Sequence, residues 1–262
     1  MSAQRSDQPA SAAEISQPPA GPASLENHLG GADGRKYRQY QYDLIEPFVG
    51  RSIMEIGSGL GDFSRQFADR IDYLAVSDSD PYCVDQLRAG YSGRSDVDVL
   101  EVELPGEIKI SRNVDTVILI NVLEHIQDDV LALRNLADCV EPGGRLVIWV
   151  PGYERLYGDF DRQVGHCRRY SPATLQGAVE AAGLRPQLCR PVNFLGGIAW
   201  WLAVRRLRVG HASTRLVALY DSLVVPATRA LERVFHPPFG QSVLCVAEVP
   251  AGPAGLDPER DC

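Results

Sequence analysis

From Ser52 onward, apolar residues alternate with polar ones or run together in short blocks. The pattern predicts strands at 52–56, 73–77, 97–102, 115–120 and 145–150, with helices at 61–70, 81–89 and 128–140 between them. Asp115-Thr-Val-Ile-Leu-Ile120 is apolar nearly throughout, as a strand covered on both faces must be. Pro81 opens one helix, and a Pro142-Gly-Gly144 turn is expected to separate another from the strand after it. Ahead of these, Tyr37, Tyr40, Leu44 and Phe48 recur at spacings of 3, 4 and 4, which predicts an amphipathic helix over 35–47 that could roof a ligand. Strands and helices alternating in this way imply an α/β, Rossmann-like, doubly wound sheet.

In the second half, Ser171 and Pro172 read as N-cap and first helical residue of a helix closed by Gly183. Strands over 185–192 and 242–249 bring the sheet to seven. Between them, 193–240 is a long helical insertion. Its residues Leu216, Leu219, Tyr220, Leu223, Ala227, Ala230, Leu231 and Val234 keep helical spacing, and Pro226 predicts a kink or break. Residues 1–27 and 250–262, rich in small residues, Pro and polar side chains, read as disordered ends of a single domain over 28–249.

The 262 residues are 45% hydrophobic, enough for a substantial core. A net charge of −8 argues against a nucleic-acid partner, whose phosphates need a basic face. Cys83, Cys139, Cys167, Cys189, Cys245 and Cys262 form no C-x-x-C pair, so neither a zinc site nor a disulfide framework is expected. They read as the reduced thiols of a cytoplasmic protein. No secretory signal or membrane-spanning run is expected, the densest apolar stretch being 196–204.

Glu55-Ile-Gly57-Ser-Gly59-Leu-Gly61-Asp62 joins the first strand to the next helix, and Asp78 ends the second strand 21 residues beyond Gly57. That is the layout of a nucleotide-binding unit, with a carboxylate placed to accept ribose hydroxyls. A dinucleotide fingerprint would put its third glycine at 62. Asp62 stands there instead and would repel a diphosphate, which disfavours an NAD(P)-dependent oxidoreductase. S-adenosylmethionine, with a sulfonium and an ammonium and no phosphate, suits an acidic rim of Glu55, Asp62 and Asp78.

Four blocks in order carry a family resemblance: Glu55 to Gly61, Val76 to Pro81, Asn121-Val-Leu-Glu-His-Ile126 and Glu141-Pro-Gly-Gly-Arg-Leu146. Residues 36–190 resemble a class I S-adenosylmethionine-dependent methyltransferase of the ubiquinone-O-methyltransferase-like type. The resemblance implies a sheet whose last strand is antiparallel. It also implies methyl transfer to a small-molecule acceptor, preferably at oxygen. Cofactor contacts would come from Glu55, Gly57, Gly59, Gly61, Asp78 and Ser79, from Glu103 and Leu104 at the adenine, and from the backbone of Asn121. In some relatives an acid near Glu124 assists a bound metal or lines the acceptor site. Alternatively, Glu124 and His125 only cap the next helix and brace the cofactor loop.

After the fifth strand, Tyr157, Asp159, Asp161, His166, Arg168, Arg169 and Tyr170 crowd one loop. His166, with His125, is a candidate to take a proton from the acceptor, and Arg168 or Arg169 to grip an anionic group, with Tyr157 and Tyr170 beside them. The competing reading has the arginines pair with Asp159, Asp161 or Glu154 to pin a long loop. Trp200, Trp201, Arg205, Arg206 and Arg208 lie in the insertion, whose residues 196–208 could cover an apolar acceptor, rest against anionic lipid, or simply pack. A protein that binds S-adenosylmethionine without catalysis also remains open, since no residue is indispensable to the displacement itself.

Overall fold

The computed structural model describes residues 34–67, 70–202 and 214–251. The expected disordered segment 1–27, the tail beyond 251, Ala68, Asp69 and residues 203–213 lie outside the described residues. Seven strands form one sheet: β1 (Ser52–Ile56), β2 (Tyr73–Asp78), β3 (Val97–Glu101), β4 (Val114–Ile120), β5 (Val140–Pro151), β6 (Arg185–Val192) and β7 (Ser242–Glu248). Their order is β3-β2-β1-β4-β5-β7-β6, with β7 antiparallel to both neighbours and the other pairs parallel.

Period-two alternation divides the core between the two faces of this sheet. Met54, Val117, Ile148 and Cys245 point to one side, where α3 (Asp129–Ala137) and α5 (Pro172–Ala181) bring Leu133, Leu136, Leu175 and Val179. Ile53, Ile118, Trp149 and Leu244 point to the other, against α1 (Arg35–Ile45), α2 (Pro81–Gly90) and α8 (Val225–Glu232). Tyr37 and Tyr40 of α1 meet the fully buried Trp149 edge-on, with ring centroids 6.4 and 6.0 Å away. The caps read from the sequence are present. Asp80 accepts from the Tyr82 amide and Ser171 from the Thr174 amide, each followed by proline at the first helical position.

Three local expectations need correction. The helix expected over 61–70 is a 3-10 turn at Ser64–Phe67, where Phe63 accepts from Gln66 and Phe67 from Arg70. The glycine turn runs through Gly61 and leaves few residues before the chain turns back toward β2. Pro142-Gly-Gly144 is not a turn ahead of its strand but a bulge within β5. Val114 pairs with Val140 and Thr116 with Arg145, so the register slips on the β4 side while the strand continues, Gly143 donating its amide to the Val249 carbonyl and Gly144 accepting from the Val249 amide on the other side. Pro226 does not break its helix. α7 (Thr214–Leu219) passes through a π-helical turn at Tyr220–Val224 straight into α8, where Pro226 falls in the first turn and needs no N–H donor.

The wide turn rotates later positions by about 100° per added residue. It carries Asp221 inward, where its carboxylate accepts from the Lys36 and Tyr37 amides at 3.2 and 2.8 Å and so caps α1. Leu219 and Leu223 are left facing out. α6 (Phe194–Trp201) begins the insertion and packs on α8. Among the described residues no helix is long and apolar enough to cross a membrane.

Candidate functional site

Two groups of side chains meet at the carboxyl ends of β1, β2, β4 and β5, the edge where open α/β sheets hold ligands. The first surrounds the glycine turn. Gly57, Gly59 and Gly61 all have positive φ, and a Cβ on Gly57 would lie 2.6 Å from the Val122 side chain, so only glycine fits between the turn and the loop after β4. Asp78 accepts from the Gly59 amide at 2.8 Å and from the Asp80 amide at 2.9 Å, which fixes the turn. Asn121 has φ +53 and donates its amide to the Trp149 carbonyl. Ser79 and Glu103 are exposed and Leu104 half-buried, along the β2 and β3 ends.

Glu55 is the unusual member. Its side chain is buried and its Oε2 has no hydrogen-bond partner. Burial pushes its carboxyl up to about 7, with Ser64 and Ser58 opposing the rise and the Asp78 charge adding to it. A buried carboxylate oxygen facing a glycine turn suits a cationic ligand. Asp62 does not belong to this acidic rim as expected. It pairs with Arg38 of α1 at 2.6 Å and with Arg65 at 3.5 Å, so its charge is largely answered within the protein. Its repulsion of a diphosphate is correspondingly weaker. The antiparallel β7 carries that exclusion instead, since dinucleotide folds continue the sheet in parallel.

The second group joins the loop after β4 to the loop after β5. Cys167 donates its amide to the Glu124 carbonyl, and Tyr157 its hydroxyl to the His166 carbonyl. Asp161, with no exposed surface, sits on α4 (Asp159–Val164) and accepts from His166 Nδ1 at 2.8 Å, Arg169 Nε at 2.7 Å and the Gly158 amide at 2.8 Å. Burial raises the Asp161 carboxyl, but His166 and Arg169 outweigh it and hold it below the usual range. An ionised carboxylate only accepts, so His166 donates from Nδ1, and its Nε2 lies 3.8 Å from Glu124 Oε1. His125 stands edge-on to His166 with centroids 4.7 Å apart. Glu124, His125 and His166 bring one ligand atom each within 4.8 Å of one another, a donor set that fits a divalent cation as well as a hydroxyl.

The pinning reading of the loop describes much of it. Arg169 is buried, bonded to Asp161 and stacked on Trp200 at 5.2 Å, and its amide donates to Glu154. Arg168 pairs with Asp129 at 2.7 Å and donates to the Gln127 carbonyl, and Tyr170 shares Asp129 at 2.8 Å. His166 and His125 are brought together with Glu124, whereas the two arginines and Tyr170 brace the loop. Asp161 was visible in the sequence only as one of three acids able to pin the loop. Its spacing of five before His166 and eight before Arg169 was the available signal.

Residues 33–187 match the methyltransferase domain family. The chain belongs to that family, and its fold is that of the class I S-adenosylmethionine-dependent methyltransferases. Among curated proteins it is 24% identical to a demethylmenaquinone methyltransferase of Paenarthrobacter aurescens (strain TC1), the match covering 48% of this chain and 51% of that protein. The chain thus spans about half the length of the curated relative it matches. Among solved structures it is similar to a Haloferax volcanii methyltransferase in complex with the Trm112 activator, at 20% identity and TM-score 0.58, covering 87% of this chain and 96% of the other. It is also similar to the N-methyltransferase NodS of Bradyrhizobium japonicum WM9 in complex with S-adenosyl-L-homocysteine, at 14% identity and TM-score 0.52, covering 86% and 96%.

Proposed function

We propose that this chain transfers a methyl group from S-adenosylmethionine to a small-molecule acceptor, preferably at oxygen. The observation that carries the cofactor is the buried Glu55 oxygen without a partner beside the open glycine turn. S-adenosylmethionine supplies a methyl group already activated on a sulfonium. Glu55 and the backbone of Gly57, Gly59 and Asn121 receive the charged amino-acid end. Asp78 keeps its bonds to main-chain amides and accepts the ribose hydroxyls with its remaining lone pairs, while Ser79, Glu103 and Leu104 edge the adenosine. The acceptor lies against Glu124, His125 and His166, where its oxygen can approach in line and much of the rate comes from that positioning. His166, its tautomer set by Asp161, takes the acceptor's proton on Nε2.

Titration calorimetry with S-adenosylhomocysteine and with NAD tests the cofactor. S-adenosylhomocysteine should bind and NAD should not. Asp78→Ala should weaken binding about 10- to 150-fold, as expected for hydroxyls losing a charged acceptor. Tighter binding of NAD sinks the reading.

A further inference from the structure

Two cysteines that lie far apart in the chain face one another across the sheet. Cys189 of the edge strand β6 pairs in register with Cys245 of β7, and the 193–240 insertion leaves from the first of these strands and returns to the second. In an antiparallel pair, opposite residues alternate between those that exchange main-chain hydrogen bonds and those that do not, and side chains lie closer in the second kind. The cysteines belong to the second kind. Val249 exchanges main-chain bonds with Gly143 and Gly144, so alternate residues back along β7, namely Ala247, Cys245 and Val243, turn their main-chain groups toward β5 and away from β6. On β6, Pro186 and Pro191 fall opposite Ala247 and Val243, in the same phase as Cys189, where no N–H is asked of them. Such a pair has Cα atoms about 4.5 Å apart, inside the range of about 4.4–6.8 Å that a disulfide spans. Both thiols are free, and both side chains pack into the core layer under α5.

The two thiols are not equivalent. Cys245 has no exposed surface, whereas Cys189 is half-buried and donates to the Pro172 carbonyl at the start of α5, 3.3 Å away. Its sulfur accepts in turn from the Cys245 thiol. That hydrogen bond, opposed by burial and aided by the Gln176 amide, holds the Cys189 thiol below its usual value, while the same bond and burial push Cys245 up. An accessible, more acidic thiol beside a buried one suits oxidation of the first and disulfide closure by the second.

We propose that Cys189 is a modification site oxidised by peroxide and resolved by Cys245 into a reversible disulfide, which ties together the two strands at the root of the insertion. The Cys189 sulfur attacks one peroxide oxygen. An S–O bond forms, the O–O bond breaks, and the other oxygen leaves as water with the thiol proton. The Cys245 sulfur then displaces the hydroxyl from Cys189 as a second water, forming the S–S bond. Two electrons pass from the thiols to the peroxide, and a dithiol reductant returns them.

The test needs neither cofactor nor acceptor. The full chain carrying Cys167→Ser and Cys262→Ser, which removes an exposed thiol and one outside the described residues, is treated with hydrogen peroxide. It is then alkylated with iodoacetamide in urea, digested without reduction and read by mass spectrometry. A linked pair of peptides holding Cys189 and Cys245, lighter by two hydrogen atoms and separated by dithiothreitol, is expected. Cys83 and Cys139, whose thiols burial pushes up to about 12 and about 11, should be recovered alkylated. In Cys245→Ser, dimedone should trap Cys189 as its sulfenic acid, and in Cys189→Ser, Cys245 should survive peroxide. Closing the loop that contains the insertion should also raise the urea midpoint, and reduction should restore it.

Full alkylation of Cys189 and Cys245 after peroxide overturns the proposal. So does oxidation of Cys189 past the sulfenic acid without a linked peptide, or linkage of Cys189 to Cys83 or Cys139. The linked peptide is read with both cysteines in place, so a single Ser variant that fails to fold leaves the decision intact.

Discussion

A single carboxyl sets much of the pH behaviour expected of the ligand-free protein. Glu55 is neutral in folded and unfolded chains below its ordinary value of 4.5. As pH rises toward about 7 the unfolded chain gives up that proton first. The folded state therefore loses stability across this window, by on the order of 3 kcal/mol once pH exceeds 7. Glu55→Gln stays neutral throughout, so thermal melts should show the variant more stable than the parent above pH 7 and flatter between 4.5 and 7. Its affinity for S-adenosylhomocysteine should fall, because the buried oxygen can no longer carry charge to the ligand's ammonium.

His166 supplies the second expectation at this scale. His166→Ala should cut turnover by on the order of 10²- to 10⁴-fold with cofactor affinity intact, and a chelator should leave the parent's turnover unchanged. Turnover lost on chelation would move the role to a cation held by Glu124, His125 and His166. The glycine turn and Asp78 were legible at the level of single residues because backbone geometry demands those residue types at that spacing. Which acid of the long loop faces inward was not legible, since Glu154, Asp159 and Asp161 look alike until the chain folds around one of them.

Among the elements, the strands were the most legible, because burial on two faces writes itself as runs of Val, Ile and Leu such as 115–120. What the pattern missed were departures that local sequence does not encode. The bulge at 142–144 depends on how β5 pairs with β4, and the π-helical turn at 220–224 on a partner nearly two hundred residues away. That turn gives the insertion a structural duty toward α1. Asp221→Ala would strip the cap from two α1 amides and should destabilise the protein by about 1–2 kcal/mol, read from the urea midpoint with the slope unchanged. Pro226→Ala, in the first turn of α8, should change little by comparison.

At the scale of the whole molecule, α1 touches everything that matters. Arg38 holds Asp62 at the glycine turn, while the Lys36 and Tyr37 amides and the Tyr40 hydroxyl are held by Asp221 and Glu232 of the insertion. One short helix is thus a strut between the candidate cofactor seat and the surface element. A strut transmits in both directions, and thermodynamic linkage requires the two effects to be equal. Ligand at the glycine turn should slow amide exchange in the π-helical turn, and loosening that turn should weaken the ligand by the same factor. Arg38→Ala should leave both ends folded and abolish the correspondence. The helix first read as a roof over the nucleotide would then be the part through which occupancy at one end of the protein is felt at the other.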